Sequence, residues 1–372
     1  MTQPTRTAQA TQTTRNDARE EPQVERTDAV ESGGVKLRLT DIAAQAGVSE
    51  ATVSRVLNGK SGVSASTRHA VLAALDVLGY ERPARSRQRS AGLVGLITPE
   101  LDNPIFPAFA QVIERTLSMH GYTPVLCTQT PGGTSEDEFI QALVDRDVAG
   151  IVFVSGLHAD TTASHDRYVR LLAHSVPIVL INGFAENVPA PFFSTDDRAA
   201  MRLAVNHLVA LGHSSIGLAI GPRRFVPVLR KIEGFVQAMT PIAGSAEAAA
   251  KLIEYSLFGF EGGRSAAGSL IESGCTAIVC GSDLMALGAI RAGRERDLRV
   301  PEELSVIGFD DSSLIAYTDP PLTTVRQPVM ALGAAAVSGL LEEIKGATPT
   351  RGEFVFEPEL VVRGSTAACP KR

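Results

Sequence analysis

Residues Leu39–Asn58 constrain the fold most strongly, because their apolar and small side chains cannot share one face of a single straight helix. They form two short periodic runs on either side of Gly47, a residue that tolerates the positive φ of a tight turn. Thr40 and Ser49 are candidate N-caps of the two runs. The pattern predicts two short helices that bury a shared apolar surface.

The outer face of the second predicted helix suits contact with the major groove of double-stranded DNA. A helix that enters the major groove needs small side chains, side chains that can hydrogen-bond, and one long basic side chain. The side chains on this face are small, polar or basic: Glu50, Ala51, Thr52, Ser54, Arg55 and Asn58. We expect four of them to read bases, namely Thr52, Ser54, Arg55 and Asn58, and the other two to select the operator. Thr40 and Ser49 complete this group of candidates, and an ordinary helical hairpin within a globular core is the alternative.

A third helix is predicted over Ser64–Leu78, where apolar residues repeat at helical spacing. Ser64 can cap its start, and Gly79 is placed to end it. Residues 36–90 hold nine Lys or Arg against four Asp or Glu, although the whole chain has a net charge of −6. A basic segment on an acidic protein indicates that this part alone contacts phosphates.

Residues from Thr40 onward read T-D-I-A-x-x-A-G-V-S-x-A-T-V-S-R-V-L-N, followed by A-x-x-x-L-G-Y at Ala74–Tyr80. This pattern resembles, nearly residue for residue, the DNA-binding headpiece of the lactose/galactose-repressor (LacI) family. The resemblance implies a helix-turn-helix headpiece and a regulator of transcription.

The linker at 81–91 departs from that family, which usually has Y-x-P-N and then a short hinge helix with a leucine that enters the minor groove. Here Pro83 lies one residue later, Ala84 occupies the expected Asn position, and no leucine occurs between Tyr80 and Leu93. Arg85, Arg87 and Arg89 could instead follow the phosphates or enter a narrow minor groove.

From Leu93 onward, short apolar strands alternate with amphipathic helices, which predicts parallel βαβ units in two doubly wound sheets with a ligand cleft between them. The predicted strands are 93–98, 123–127, 150–154, 178–181, 215–220, 252–255, 277–280 and 304–308. The predicted organisation is a disordered tail at 1–35, a headpiece at 36–80, a hinge linker at 81–91, an effector-binding domain at 92–364 and a tail at 365–372. Within the effector-binding domain, the N-subdomain is expected at about 92–192 and 326–356, and the C-subdomain at about 193–325 and 357–364.

Motifs in this region include N-P-I-F at Asn103–Phe106, V-I-G-F-D-D at Val306–Asp311 and P-L-T-T-V-x-Q-P at Pro321–Pro328. Together they resemble the periplasmic-binding-protein-like sensor of the same family. Matching positions imply that five side chains contact a sugar: Phe106, Asn182, Lys231, Phe258 and Asp310. The two phenylalanines would stack on the sugar, and the other three would hydrogen-bond its hydroxyl groups.

Other roles remain open for several of these residues. Phe106 and Phe258 could be core aromatics, and Asp310 could be a helix cap or a turn residue. Lys231 stands where the family commonly has arginine, so the adjacent Arg230 could take its place. Asp283 is expected to be the N-cap of the following helix.

The sequence gives little support to an enzyme, a metal site or a membrane protein. It contains neither a P-loop, H-E-x-x-H or G-x-S-x-G motif nor a G-x-G-x-x-G motif between a strand and a helix. Its four cysteines lack the spacing of a metal site, and no apolar run reaches the ~18–20 residues of a membrane span. We therefore expect no enzymatic activity, cofactor or metal, and a cytoplasmic protein that joins the nucleoid on its operator.

We therefore expect a repressor of carbohydrate-utilisation genes that a sugar releases from a palindromic operator. The sensor motifs look most like those of actinobacterial regulators of maltose or maltodextrin use. A homodimer is expected because the sequence after Val362 lacks the leucine heptads of the family's tetramers. A carbohydrate-binding receptor without DNA-binding activity is the alternative.

Overall fold

The computed structural model describes residues 38–57, 62–78, 90–130, 132–348 and 350–370. The chain divides into two compact units, Met1–Arg85 and Ser86–Arg372, each described here by itself. The predicted tail at 1–35, most of the linker at 81–91, and Asn58, Gly79, Arg85 and Arg87 lie outside the described residues.

The described part of the smaller unit contains three helices, α1 Leu39–Ala46, α2 Glu50–Leu57 and α3 Ala65–Val77. Its core is formed by Ile42, Ala43, Val53, Val56, Val71 and Ala74. Gly47 ends α1 with φ of 65°, so the predicted turn between two short helices is confirmed.

Two of the three predicted caps of the smaller unit are confirmed. Ser49 Oγ accepts the Thr52 N–H at 3.3 Å, and Ser64 Oγ accepts the Thr67 N–H at 3.1 Å. The prediction for Thr40 was wrong, because this residue lies inside the first turn of α1. The helix begins one residue earlier, where Asp41 accepts the N–H of Arg38 at 2.7 Å.

The larger unit alternates strands and helices, as the sequence predicts. Its strands are β1 Gly92–Thr98, β2 Tyr122–Thr128, β3 Gly150–Val154, β4 Ile178–Ile181, β5 Pro191–Thr195, β6 Ile216–Ile220, β7 Ile253–Tyr255, β8 Ala277–Cys280, β9 Ser305–Asp310, β10 Thr323–Arg326, β11 Gly352–Phe356 and β12 Glu359–Val361. Its α-helices are α4 Ile105–Met119, α5 Glu136–Val144, α6 Asp166–Ala173, α7 Asp197–Ala210, α8 Val226–Ala243, α9 Ala246–Ala250, α10 Phe260–Glu272, α11 Asp283–Arg294 and α12 Val329–Ile344.

These strands form two six-stranded sheets with the same internal order. The first, here called the N lobe, has the order β11-β5-β4-β3-β1-β2, and the second, the C lobe, has the order β12-β10-β9-β8-β6-β7. All neighbouring strands are parallel except β10 and β12. The chain order reverses between β1 and β3 and between β6 and β8, and ligands bind beyond such switch points in open α/β sheets.

Several elements differ from the sequence-based expectation. The short segments β5, β10, β11, β12 and α9 were not predicted. The strand β5 runs to Thr195 within the N lobe, three residues beyond the expected subdomain boundary. The expected C-terminal tail is packed at its start, because Ser365 is fully buried and its hydroxyl donates to the Val306 carbonyl at 2.6 Å. Within the described ranges, no helix is long and apolar enough to cross a bilayer.

Candidate functional site

The first candidate site is the outer surface of α2. Glu50, Ala51 and Arg55 are exposed there, whereas Thr52 and Ser54 are half-buried. The Thr52 hydroxyl lies 3.0 Å from the Ser49 hydroxyl, so these two groups bond to each other at the helix start. The described candidates on α2 thus share one surface, with the basic side chain in its last turn. Thr40 is exposed in the first turn of α1.

The second candidate site is a cavity of about 220 Å³ between the N lobe and the C lobe. All five predicted effector residues line it: Phe106, Asn182, Lys231, Phe258 and Asp310. The cavity is also lined by residues that the sequence analysis did not assign to the site, including Asn103, Ser155, Asp197, Phe225 and Gln327. Of these, Asn103 and Gln327 lie within motifs of the family resemblance, which is the signal that could have identified them.

Aromatic rings approach the cavity from both lobes. Phe106 comes from the first turn of α4 and also packs against the N-lobe core. Phe258 precedes α10, is 45% exposed, and lies over Gly221, where a Cβ atom would collide with its ring. The Phe225 ring is 6.2 Å from that of Phe258. A sugar ring offers apolar C–H faces that such aromatic surfaces can cover.

Lys231 is buried in the C-lobe wall of the cavity. Its ammonium group contacts the Asp197 carboxylate and lies 3.9 Å from the centre of the Phe309 ring. Burial raises the pKa of Asp197, and the Lys231 charge opposes that rise. An ammonium that keeps this partner has further hydrogens to donate to a ligand.

Arg230 does not substitute for Lys231 in the cavity. Its guanidinium forms a bidentate pair with Glu353 of the N lobe, with Nη2 at 2.8 Å from Oε2, and it lines a separate pocket. Adjacent residues of a helix point about 100° apart, so only one of the two can face the cavity.

Asp310 is the last residue of β9 and has a left-handed backbone with φ of 123°. Its carboxylate accepts from Gln327 Nε2 at 2.7 Å, and Gln327 Oε1 accepts from Thr195 Oγ1 of the N lobe at 3.0 Å. Gln327 therefore connects both lobes at the cavity. Burial and then the neighbouring Asp283 charge raise the pKa of Asp310 well above its usual range.

The prediction that Asp283 caps α11 was wrong. Ser282 is the cap, because its Oγ accepts the Met285 N–H at 3.2 Å. Asp283 accepts from the N–H and hydroxyl of Ser312, both at 2.7 Å, and from the Thr324 hydroxyl at 2.6 Å. Burial raises the pKa of Asp283 to about 6. Asp283 thus holds the segment after β9, and with it the backbone beside Asp310.

Asn182 supplies an amide on the N-lobe side. It follows β4 with φ of 63°, and its Nδ2 donates to Ser155 Oγ at 3.3 Å. Non-glycine residues with positive φ are uncommon and cluster at ligand sites, and here they include Ser155, Asn182 and Asp310 of the cavity wall. The cavity thus combines aromatic surfaces with amide, ammonium and carboxylate groups, which is a donor and acceptor set suited to a neutral polyhydroxyl ligand.

Family models and known regulators match most of the chain. A family model described as bacterial regulatory proteins, lacI family, matches residues 38–83, and one described as a periplasmic binding protein-like domain matches residues 205–366. The chain is 68% identical to the HTH-type transcriptional regulator MalR of Streptomyces coelicolor over 335 residues, or 90% of this chain and 97% of MalR. It is 67% identical to the regulator reg1 of Streptomyces lividans over 90% of this chain and 97% of reg1.

Solved structures of transcriptional regulators are similar as well. A transcriptional regulator CelR–cellobiose complex matches with a TM-score of 0.65 and 30% identity, covering 88% of this chain and 99% of CelR. The lac repressor dimer bound to operator and an anti-inducer matches with a TM-score of 0.63 and 28% identity, covering 89% of this chain and 99% of the repressor.

Proposed function

The chain belongs to the lacI family of bacterial transcriptional regulators, and from that premise we propose that it is a repressor of carbohydrate-utilisation genes released from its operator by a sugar. It binds a palindromic operator as a cytoplasmic homodimer, with one headpiece on each half-site, and joins the nucleoid when bound. Arg55 and the other exposed groups of α2 contact bases and phosphates, and Arg85 and Arg87 of the linker add phosphate contacts.

The cavity between the lobes carries the effector part of this proposal. Phe106 and Phe258 line it together with Asn182, Lys231 and Asp310, so ring-stacking and hydroxyl-binding groups meet in one space of about 220 Å³. This combination suits a sugar better than an anion or an apolar ligand, because the Lys231 ammonium in the wall is paired with the Asp197 carboxylate and Glu100 and Asp310 add further carboxyl groups. The maltose or maltodextrin class is favoured by the resemblance to actinobacterial regulators of that class. CelR, a transcriptional regulator of similar structure, has been solved in complex with the disaccharide cellobiose.

Sugar binding and operator binding oppose each other in this scheme. A sugar that changes the relation of the two lobes lowers operator affinity, and operator binding must lower sugar affinity by the same factor.

Two titrations of the full chain test the proposal. Calorimetry with maltose, maltotriose, cellobiose and xylobiose identifies the effector, and mobility-shift titration with palindromes from its own locus at moderate salt measures operator binding with and without that sugar. We expect binding of a palindrome that the sugar weakens. Failure to bind any such palindrome would overturn the regulator proposal, and sugar binding without DNA binding would instead identify a carbohydrate receptor. Absence of heat with both maltose and maltotriose would overturn the maltose assignment.

A further inference from the structure

The segment 157–162 of the N lobe contacts the C lobe beside the cavity. Asp160 and Phe225 form an isolated antiparallel bridge, and the Thr161 N–H and hydroxyl both donate to the Arg224 carbonyl at 2.8 Å. Arg224 Nε lies 3.0 Å from the Asp160 carboxylate. We call these two facing segments, 157–162 and 223–225, the clasp.

Buried polar groups of the N lobe hold the N-lobe half of the clasp, segment 157–162, in place. The Glu136 carboxylate accepts the Leu157 N–H at 3.0 Å and the Tyr168 hydroxyl at 2.5 Å, and the Tyr168 oxygen accepts the His158 N–H at 2.8 Å. Glu136, His158 and Tyr168 are each no more than 1% exposed. Because these bonds hold the backbone of segment 157–162 at Leu157 and His158, the Asp160 side chain that follows is kept in a defined position.

The C-lobe half of the clasp carries an aromatic wall of the cavity. Phe225 lines the cavity with Phe258, and the Arg224 guanidinium stacks 4.8 Å from the Phe225 ring centre. The residue that pairs with Asp160 therefore also covers the ring. Ala159 of segment 157–162 lines the same cavity, so both halves of the clasp border the ligand space.

We propose that Asp160 and Arg224 are positioning residues of the effector site, which hold the Phe225 ring against a bound sugar by tying the two lobes together across the cavity. This inference rests on the proposed sugar effector. The clasp joins groups of different lobes, so it stabilises only the arrangement in which the lobes are close. Sugar affinity scales with the fraction of protein in the binding-competent arrangement, and loss of the clasp therefore weakens sugar binding.

The test uses Asp160→Asn and Arg224→Gln, singly and together, in the full chain. The asparagine keeps an Oδ1 acceptor for the Thr162 N–H and hydroxyl, which lie at 2.9 and 2.6 Å in the wild-type protein. The control is Glu233→Gln, because Glu233 forms an exposed ion pair with Arg198 inside the C lobe. Calorimetry with the sugars named above measures affinity, and hydrogen exchange of the Thr161 amide, which donates to Arg224, reports the clasp without any sugar.

We expect each single variant to bind the effector about three- to fivefold more weakly, the size of a partly exposed ion pair. The double variant should lose no more sugar affinity than one single variant does. The Thr161 amide hydrogen should exchange faster in all three variants. Operator affinity without sugar should not fall, because loss of the clasp disfavours the sugar-binding arrangement that opposes operator binding, and Glu233→Gln should behave as wild type. Wild-type sugar affinity in both single variants, or additive losses, would overturn the proposal. If the wild-type chain binds none of the sugars, the effector assignment falls together with the positioning role, whatever Thr161 shows.

Discussion

Lys231 and Asp197 form an ion pair in the wall of the cavity, and their side chains are only 7% and 6% exposed. The pair joins α8 to the first turn of α7 within the C lobe. A buried pair contributes little net stability compared with apolar residues, but removal of one partner leaves an uncompensated charge. Lys231 thus fixes Asp197, and both residues line the cavity.

Lys231→Met should therefore destabilise the protein by about 3–5 kcal/mol, because Asp197 is left buried without its cation. The double variant Lys231→Met, Asp197→Asn should recover part of this loss, since no charge remains in the wall. Urea unfolding followed by circular dichroism measures both. A single variant as stable as the wild type would contradict this expectation and show that Asp197 is not left as an uncompensated buried charge.

Arg55→Ala should abolish specific operator binding and leave sugar affinity intact. Arg55 is exposed in the last turn of α2, a good bidentate base contact contributes about 1–3 kcal/mol, and a dimer would lose two of them. Mobility-shift titration measures the effect. Arg170→Ala is the control, because it removes an equal charge from an exposed position in α6 of the other unit. Unchanged operator affinity of Arg55→Ala would refute the role assigned to this residue.

The sequence allowed prediction of features that depend on neighbouring residues. The turn at Gly47, the caps at Ser49 and Ser64 and most strands follow from local periodicity and backbone preference. The meeting of Phe106, Asn182 and Asp310 in one cavity follows from their positions after parallel strands or at a helix start, together with the family resemblance.

Features that depend on long-range packing could not be predicted in this way. The Lys231–Asp197 pair joins residues 34 positions apart, and Gln327 contacts Thr195, which is 132 positions away. The partners of Asp283 lie 29 and 41 positions further along the chain, so a local rule assigned it to a helix cap instead. The strand β10, Thr323–Arg326, is short, three of its four residues are polar, and its buried threonines are bonded to residues from elsewhere in the chain.

Gly221→Ala should weaken sugar binding, because a Cβ atom at this position would collide with the Phe258 ring and push it into the cavity or out of it. The expected loss is about tenfold, the effect of misplacing one stacking surface worth about 1.4 kcal/mol. Calorimetry with the effector measures it. Gly244→Ala is a control for the loss of a glycine, since nothing lies within 4 Å of its added Cβ, although its φ of 86° adds backbone strain. Equal sugar affinity in Gly221→Ala and wild type would exclude Phe258 from the site.

Asp283 should contribute less to the stability of the folded state as pH rises from about 4 to 6, whereas the buried His158, whose pKa burial lowers to about 3, acts in the opposite direction. Burial raises the pKa of Asp283 to about 6, whereas an aspartate in an unfolded chain titrates near 3.9. The folded state therefore binds this proton more tightly than the unfolded state, so the contribution present at low pH is lost as pH approaches the folded value. Asp310 acts in the same direction, because its pKa is also raised.

Asp283→Asn should remove the Asp283 contribution to this pH dependence while it preserves the local bonds. An asparagine can turn its oxygen toward the N–H and hydroxyl of Ser312 and donate its amide to the Thr324 hydroxyl, which accepts as readily as it donates. The variant also removes the Asp283 charge that raises the pKa of Asp310, so both titrations weaken together. Urea unfolding at pH values from 4.5 to 7.5 measures the slope, with Asp297→Asn as the control at an exposed position whose positive φ suits asparagine. Removal of the Asp283 contribution should make stability rise more steeply with pH, or fall less steeply, than in the wild type, and an unchanged slope would show that the folded state does not bind this proton more tightly than the unfolded state.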